Sequence, residues 1–271
     1  MNKKLSKIKS FSVITLISLY LIIPLALTFL YSVFTEWTDI LPTGFTFKYY
    51  IQLLSDSNFL LTLVRTIVIS ILPIIITGII IILAMYVITV HNPKLEKYVQ
   101  MICMIPYALQ GIILSTSLIS LYIGSSSILS NRLLLLTGAY CIVSLPYMYQ
   151  GIRNSLRGVD AINLIEAAQV LGVSKLYAFF RIIVPNILPG ITVSAMLSMA
   201  MIFGDFAIVN TLAGSHYQTT QIYLQKQIYT SGQLSSAIIM VLFICTLLIS
   251  LGVFFAKKKD KVVNLEEVVE D

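Results

Sequence analysis

Charged residues are scarce in this chain, and their scarcity decides its class. Only 11% of the 271 residues are charged, while 58% are hydrophobic and the mean hydropathy is +0.91. Soluble domains carry about 25% charged residues. The composition therefore excludes an ordinary soluble protein and indicates a protein embedded in a membrane.

Histidine and cysteine are also too few for the usual metal and nucleophile sites. His91 and His216 fall in loops predicted to face opposite sides of the membrane, so neither a metal cluster nor a Ser-His-Asp arrangement is expected. The three cysteines stand in three different apolar segments without a Cys-x-x-Cys pair, which favours buried thiols. A Gly-x-x-x-x-Gly-Lys-Ser/Thr phosphate loop is missing as well. We therefore expect no catalytic residue, no metal ligand and no ATP site in this chain.

Long apolar runs fill the chain instead. Each is near the length of about 17 to 25 residues that crosses a bilayer as a helix, and no hydrophilic domain interrupts them. The first run is too long for a signal peptide and is interpreted as an uncleaved span. The sequence predicts an all-α membrane domain over residues 11–256 with six transmembrane helices: Phe11 to Phe34, Phe59 to Val90, Tyr98 to Ile123, Leu133 to Gln150, Ile187 to Leu212 and Leu234 to Ala256.

The distribution of basic residues predicts the orientation of these helices. Most of the 18 Lys and Arg residues precede the first run, follow the sixth, or lie between runs two and three and between runs four and five. Loops rich in Lys and Arg stay in the cytoplasm. We expect a cytoplasmic N-terminus (1–10), a cytoplasmic loop (151–186) and a cytoplasmic tail (257–271). The net charge of +6 then reflects orientation in the membrane and not nucleic-acid binding.

The cytoplasmic loop contains the most specific pattern of the chain. Its fixed positions are separated by three and then nine residues: Glu166, Ala167, Ala168, Gly172, Ile182 and Pro185. Locally, Asp160 offers an acceptor that can begin a helix, and Gly172 can adopt the left-handed conformation that ends one. Ser174 can cap a second helix, and Pro185 is expected to close it. The pattern predicts a helix, a tight turn and a helix that serves for docking.

That spacing resembles the cytoplasmic loop of the inner-membrane permeases of binding-protein-dependent ABC importers, whose pattern is Glu-Ala-Ala, three residues, Gly, nine residues, Ile, any residue, Leu-Pro. The chain departs only at Val184, where the family usually has Leu. Several other segments, among them Leu41 to Thr46 and Phe203 to Phe206, resemble the spermidine/putrescine, ferric-iron and aminophosphonate branch of that family.

The resemblance implies a type I importer permease in a bacterial plasma membrane. The chain would pair with a second permease, two copies of an ATPase that bind ATP and Mg, and an extracellular substrate-binding protein. The resemblance favours a different permease as the second one, with a second copy of this chain as the alternative. Glu166 would make an ionic contact with the ATPase, Ala167 and Ala168 would allow its close approach, and Gly172 would supply the turn.

Asp205 is the sharpest candidate for the substrate path. A carboxylate within a span costs about 2.5 to 3.5 kcal/mol on insertion scales, so it usually faces a cavity or a partner group. It could attract a cationic amine, or it could form an ion pair or hydrogen bond inside the bundle. Asn210, Tyr107 and Gln110 are further candidates for the path.

Asp205 and the resemblance together favour a polyamine such as spermidine or putrescine as the substrate, with aminophosphonate or ferric iron as alternatives. A secondary transporter is the competing class, and it would work without an ATPase. A membrane-embedded enzyme would need several titratable groups at one depth, and the sequence shows no such group.

Overall fold

The structure, a computed structural model, describes residues 2–37, 42–109, 111–124 and 130–267. The elements of the first half are α1 (Asn2–Val33), β1 (Phe34–Glu36), β2 (Thr43–Phe45), α2 (Lys48–Ser55), α3 (Ser57–Val90), α4 (Glu96–Met104) and α5 (Ile112–Tyr122). Short 3-10 turns at Pro93–Leu95 and Ile105–Ala108 flank α4.

The second half is helical in every described element. It consists of α6 (Arg132–Gly158), α7 (Ala161–Val170), α8 (Lys175–Ala178), a π-helical turn (Phe179–Ile183), α9 (Val184–Phe203), α10 (Ala207–Leu212), a 3-10 turn (Gly214–His216), α11 (Thr220–Gln227) and α12 (Gly232–Glu267).

The described helices supply five of the six expected spans and one bent candidate for the sixth. Five stretches are long and apolar enough to cross a membrane: Val13–Val33, Ser57–Val90, Arg132–Gly158, Lys175–Phe203 and Gly232–Leu251. The sixth candidate is the pair Pro93–Ala108 and Ile112–Tyr122, which contains α4 and α5, is bent by 100° and passes the same test only when its two halves are taken together. The number of spans is therefore five, or six if this pair counts as one. Length and composition thus support the predicted all-α, multi-span class.

Pro185 does not end the second helix of the loop, and that prediction was wrong. α8 continues through the π turn into α9, and Pro185 lies in the first turn of α9. Immediately before it, the Val184 N–H bonds to the Phe179 carbonyl five residues back. The π turn therefore changes the backbone hydrogen-bond pattern immediately before proline, which has no N–H to donate. Proline is also well suited to the first turn of a helix.

The chain divides into two compact units. The first contains residues 1–61 and 223–245, and the second contains residues 62–222 and 246–271. Within the first, β1 and β2 form an antiparallel hairpin with Phe34 opposite Phe45, a feature that the all-α expectation omits. The Tyr223 hydroxyl donates to Asp56 Oδ2 at 2.6 Å in the same unit.

The second unit is organised around close packing of α6 and α9. Gly151 on α6 faces Ser194 on α9, and Gly190 on α9 faces Ser155 on α6, so a Cβ atom added at either glycine would collide with the opposite serine. Each serine hydroxyl bonds to the carbonyl of the glycine four residues earlier in its own helix, at 2.9 Å for Ser155 and 2.8 Å for Ser194. Small residues in membrane helices allow such close approach. These two helices flank segment 159–183, which the sequence predicts to serve for docking and which we call the docking loop. They are therefore held together directly.

Candidate functional site

The docking loop begins where the sequence predicts, but with a different hydrogen bond. α7 starts one residue after Asp160, which adopts the left-handed conformation (φ 49°, ψ 54°) and gives the helix backbone no side-chain cap. Its Oδ2 accepts instead from the Asn163 side-chain amide at 2.5 Å. The predicted cap was wrong in its donor, because a nearby side chain takes the place of the backbone N–H.

One face of α7 is buried in the second unit. The buried residues recur at spacings of four and three, as one helical face requires: Ala161, Ile165 and Ala168. They join a core that includes Phe179 and Ile183 of the π turn. Ala168, one of two alanines expected to meet a partner, thus packs inside this chain, whereas Ala167 and Glu166 are exposed. The docking loop is therefore tied to the bundle by its inner face.

Gly172 makes the turn that its position predicts. It adopts φ +81°, and its N–H donates to the Gln169 carbonyl at 2.9 Å while the Val173 N–H donates to the Ala168 carbonyl at 3.0 Å. This pair of bonds is the Schellman motif, which satisfies the last carbonyls of a helix and needs a residue with positive φ. The local prediction for Gly172 is confirmed.

The segment after the turn also begins as expected. Ser174 Oγ accepts from the Tyr177 N–H at 3.3 Å and caps α8, which confirms the predicted role of Ser174. Further along, Ile182 is half-buried against the core and Pro185 is exposed. These two positions of the pattern therefore belong to the helix that returns to the bundle.

Large apolar side chains at the end of the loop are exposed. Val170 is 88% exposed and Leu171 is 84% exposed, and across the turn Leu176 and Tyr177 are each more than half exposed. We call these four residues the apolar tip. Exposed apolar patches of this kind mark contact surfaces. Within the described part of the chain, Glu166 beside the tip takes part in no ion pair.

A charged cluster joins the start of α4 to the end of α6. Glu96 Oε1 accepts from Arg153 Nε at 2.5 Å and from an Arg157 terminal nitrogen at 3.0 Å. The cluster places two of the loops predicted to be cytoplasmic at the same end of the second unit. Beside it lies a cavity of about 260 Å³, which reaches the first turn of α7 and is lined by residues that include Met85, Ile88, Pro93, Leu156 and Ala161.

Asp205 lies between two helices and not within a span. α9 ends at Phe203, so the predicted span 187–212 is interrupted there. Asp205 Oδ2 accepts from the Tyr140 hydroxyl at 3.1 Å and from the N–H groups of Ile208 and Val209 at 3.0 and 3.3 Å. Acceptance from the first amides of a helix is the role of a capping residue. The geometry therefore favours the hydrogen-bonded alternative over a free cation site.

The other residues expected on the path are placed differently. Asn210 is exposed on α10, and Tyr107 is exposed in the 3-10 turn after α4, where its ring meets the Tyr147 ring edge-on at 5.5 Å. Gln110 lies outside the described residues.

Sequence reasoning missed three polar residues of α6. Tyr147, Gln150 and Asn154 are separated by three and four residues and share one face, which is partly or fully exposed. Their spacing inside an apolar run was the signal that could have found them. With Tyr107 they form what we call the polar strip.

Known proteins resemble this chain in sequence and in fold. The molybdenum transport system permease protein ModB of Escherichia coli (strain K12) is 32% identical over 118 residues, which are 42% of this chain and 51% of ModB. The spermidine/putrescine transport system permease protein PotB of the same strain is 37% identical over 73 residues, 27% of this chain and 26% of PotB. The alignment to ModB thus spans about half of that relative's length.

Solved structures share the fold over nearly the whole chain. A chain of a bacterial alginate ABC transporter, solved with a pentasaccharide-bound periplasmic protein, matches with a TM-score of 0.66 at 16% identity and covers 96% of both chains. At that identity the likeness concerns the fold alone. Together with the candidate spans, it defines a multi-pass helical membrane protein.

The family follows from a match over most of the chain. Residues 67–261 fit the family described as the inner membrane component of binding-protein-dependent transport systems, and the chain belongs to that family. The matched range contains α6, the docking loop, α9 and the polar strip.

Proposed function

We propose that this chain is a permease subunit of an ATP-driven importer, forms half of the solute path and docks on a separate ATPase through the apolar tip. The observation that carries the proposal is the near-complete exposure of Val170 and Leu171 at the end of the loop. Covering two such side chains is favourable by about 1.5 to 3 kcal/mol each if their burial is complete. An ATPase groove that accepts α7 would provide that cover, and Glu166 lies beside the tip for a contact with a basic residue.

The buried face of α7 explains how docking would move the membrane helices. Ala161, Ile165 and Ala168 fix α7 to the core, and α9 is joined to α6 through the paired glycines and serines. A displacement of the tip would therefore be passed to both helices as one body, since packed interiors transmit strain. The proposed cycle is alternating access driven by closure of two ATPase subunits on ATP.

The proposed assembly contains two permeases, two ATPase copies and a substrate-binding protein outside the membrane. Two halves are needed to enclose a path, and we propose that the second is a different permease of similar fold. A binding protein is supported by the description of the family and by the periplasmic protein bound in the alginate transporter structure.

For the substrate we propose a polyamine. PotB is one of the relatives, and the ring pair of exposed Tyr107 and half-buried Tyr147 suits an ammonium group, which is attracted to aromatic faces. Molybdate is the second candidate, because the alignment to ModB is the longer one. Uptake of radiolabelled putrescine and of labelled molybdate by cells that express the whole transporter would separate the two. Putrescine uptake that molybdate does not inhibit is expected.

The docking proposal is tested by Leu171→Asp and Glu166→Ala in the complete transporter. Both variants should insert normally but lose copurification with the ATPase and ATP-dependent uptake. Truncating a contact of this kind costs about 2 to 4 kcal/mol, which corresponds to a loss of affinity of about thirtyfold or more.

Leu95→Asp is the matched control for that test. Leu95 is an exposed leucine beside Glu96, at the same end of the second unit but off the loop, and its variant should keep the ATPase bound. Normal ATPase binding and uptake by both loop variants would contradict the docking proposal.

A further inference from the structure

The polar strip is unusual for a membrane span because its amides are exposed. Gln150 and Asn154 are both exposed on α6, within the span Arg132–Gly158. The opposite side of the same helix is buried, with Met148, Tyr149 and Ile152 almost fully covered. α6 therefore has one face that packs in this chain and one polar face that does not.

Lipid is a poor environment for that polar face. An amide in hydrocarbon without a hydrogen-bond partner costs several kcal/mol, so exposed polar side chains in spans usually line water or meet a partner. Gln150 Nε2 has a weak partner in the Met104 sulfur at 3.5 Å and also interacts with the Tyr107 hydroxyl. The face is therefore expected to border an aqueous space.

A cavity lies along the same face. Its volume is about 300 Å³, near the lower end of the range of small-molecule sites, and the three α6 residues of the strip, Tyr147, Gln150 and Asn154, lie along one side of it. The other side is the face of α9 that carries Gly190, Val193, Ser194 and Leu197. Because Gly151 and Gly190 have no side chains, backbone and hydroxyl groups line the cavity where the two helices meet.

The three α6 residues of the strip run along the helix from the interior of the span toward the docking loop. Asn154 follows Arg153 of the charged cluster, at the end of α6 that leads to α7, while Tyr147 lies two turns further into the helix. The aromatic pair is thus deep in the span, and the two amides lead from it toward the docking loop. No residue of the strip carries a formal charge. A charged solute would therefore meet hydrogen-bond acceptors and ring faces but no opposite charge that would bind it tightly.

We propose that Tyr107, Tyr147, Gln150 and Asn154 line the cytoplasmic half of the substrate path and contact the ammonium groups of the solute as it leaves. The inference deepens the proposed function and rests on it for the identity of the solute. The ring faces would hold an ammonium group by cation–π attraction, and the amide oxygens would accept its hydrogen bonds in turn.

Accessibility to a water-soluble reagent tests whether the strip is wet. In a background in which Cys103, Cys141 and Cys245 are replaced by serine and transport is retained, single cysteines are introduced as Gln150→Cys and Asn154→Cys. Inside-out vesicles that contain the complete transporter are treated with a charged, membrane-impermeant maleimide. Both cysteines should react several times faster than the control Leu188→Cys.

Leu188 is the matched control because it lies on α9 and is exposed, but it does not line the cavity. Protection of Asn154→Cys by millimolar putrescine is expected as well. Equal reaction rates at 150, 154 and 188 would overturn the inference, even if the chain proves to be an importer. Fast labelling of a transporter that does not take up putrescine would support the path and overturn the ammonium assignment.

Charge substitution at Asn154 gives a second readout that does not depend on labelling. Asn154 is exposed, so Asn154→Asp and Asn154→Lys should both fold. A unit charge about 8 Å from a cationic solute changes its energy by roughly 1 to 2 kcal/mol at intermediate dielectric constants. The KM for putrescine should therefore rise by roughly tenfold in the Lys variant and not in the Asp variant. Unchanged uptake kinetics in both variants would overturn the inference.

Discussion

Glu96 offers the most direct test of the packing at the end of the second unit that carries the docking loop. Its Oε1 atom is shared by Arg153 and Arg157, and the side chains differ in exposure: 31% for Glu96, 21% for Arg153 and 61% for Arg157. Glu96→Gln keeps the shape of the side chain but removes its charge. The half-buried Arg153 guanidinium would then lose its counter-ion.

The free energy that each ion pair contributes to stability can be bounded from these exposures. Removing one partner of a fully buried pair costs about 3 to 5 kcal/mol, and an exposed pair contributes about 0 to 1 kcal/mol. Arg153 lies between these limits, so after a discount for solvent screening we expect about 1 to 3 kcal/mol from its pair. The pair with Arg157 should contribute below about 1 kcal/mol.

A double-mutant cycle measures both pairs. Thermal unfolding of the purified complex in detergent is followed for Glu96→Gln, Arg153→Gln, Arg157→Gln and the two double variants. The Tyr149 ring contact of Arg153, at 6.0 Å, is lost in both arms of its cycle and cancels. The coupling of Glu96 to Arg153 should be at least twice that to Arg157. Equal couplings, or an unchanged unfolding temperature in Glu96→Gln, would refute the argument.

Two further predictions concern the contact between α6 and α9 and the residues that follow α9. Gly151→Ala should destabilise the protein by about 1 to 3 kcal/mol through overpacking. Adding Ser194→Gly should restore most of the lost thermal stability, because it removes the opposing side chain. A double variant as unstable as the single one would contradict the proposed packing. Asp205→Asn should keep thermal stability and uptake, because asparagine also caps helices. Asp205→Ala should lower the free energy of unfolding by about 1 to 3 kcal/mol, because it removes the cap and the Tyr140 partner. A stable Asn variant without uptake would contradict this and show that the solute needs the charge.

Local patterns in the sequence were sufficient for much of the docking loop. Gly172 and Ser174 were assigned correctly because a Schellman turn and a helix cap depend on neighbouring residues only. Asp160 and Pro185 were assigned wrongly, since the outcome depended on competition between local bonds. Asn163 attracted the Asp160 side chain, and the π turn before Pro185 allowed the helix to continue.

Side chains whose partners lie far away in the chain could not be placed in this way. Asp205 bonds to Tyr140, 65 positions away, and Ala168 is buried in the core cluster that also contains Phe179 and Ile183 of the π turn. The polar strip became visible only when α6 was seen to have one packed and one exposed face.

The sequence by itself determined the class of the protein and the main turn of the docking loop, because hydropathy and turn chemistry act over short distances. Only the tertiary structure decided which side of each helix is covered. That choice depends on contacts such as Gly151 with Ser194, which bring distant residues together, and it leaves the apolar tip and the two amides of the polar strip exposed.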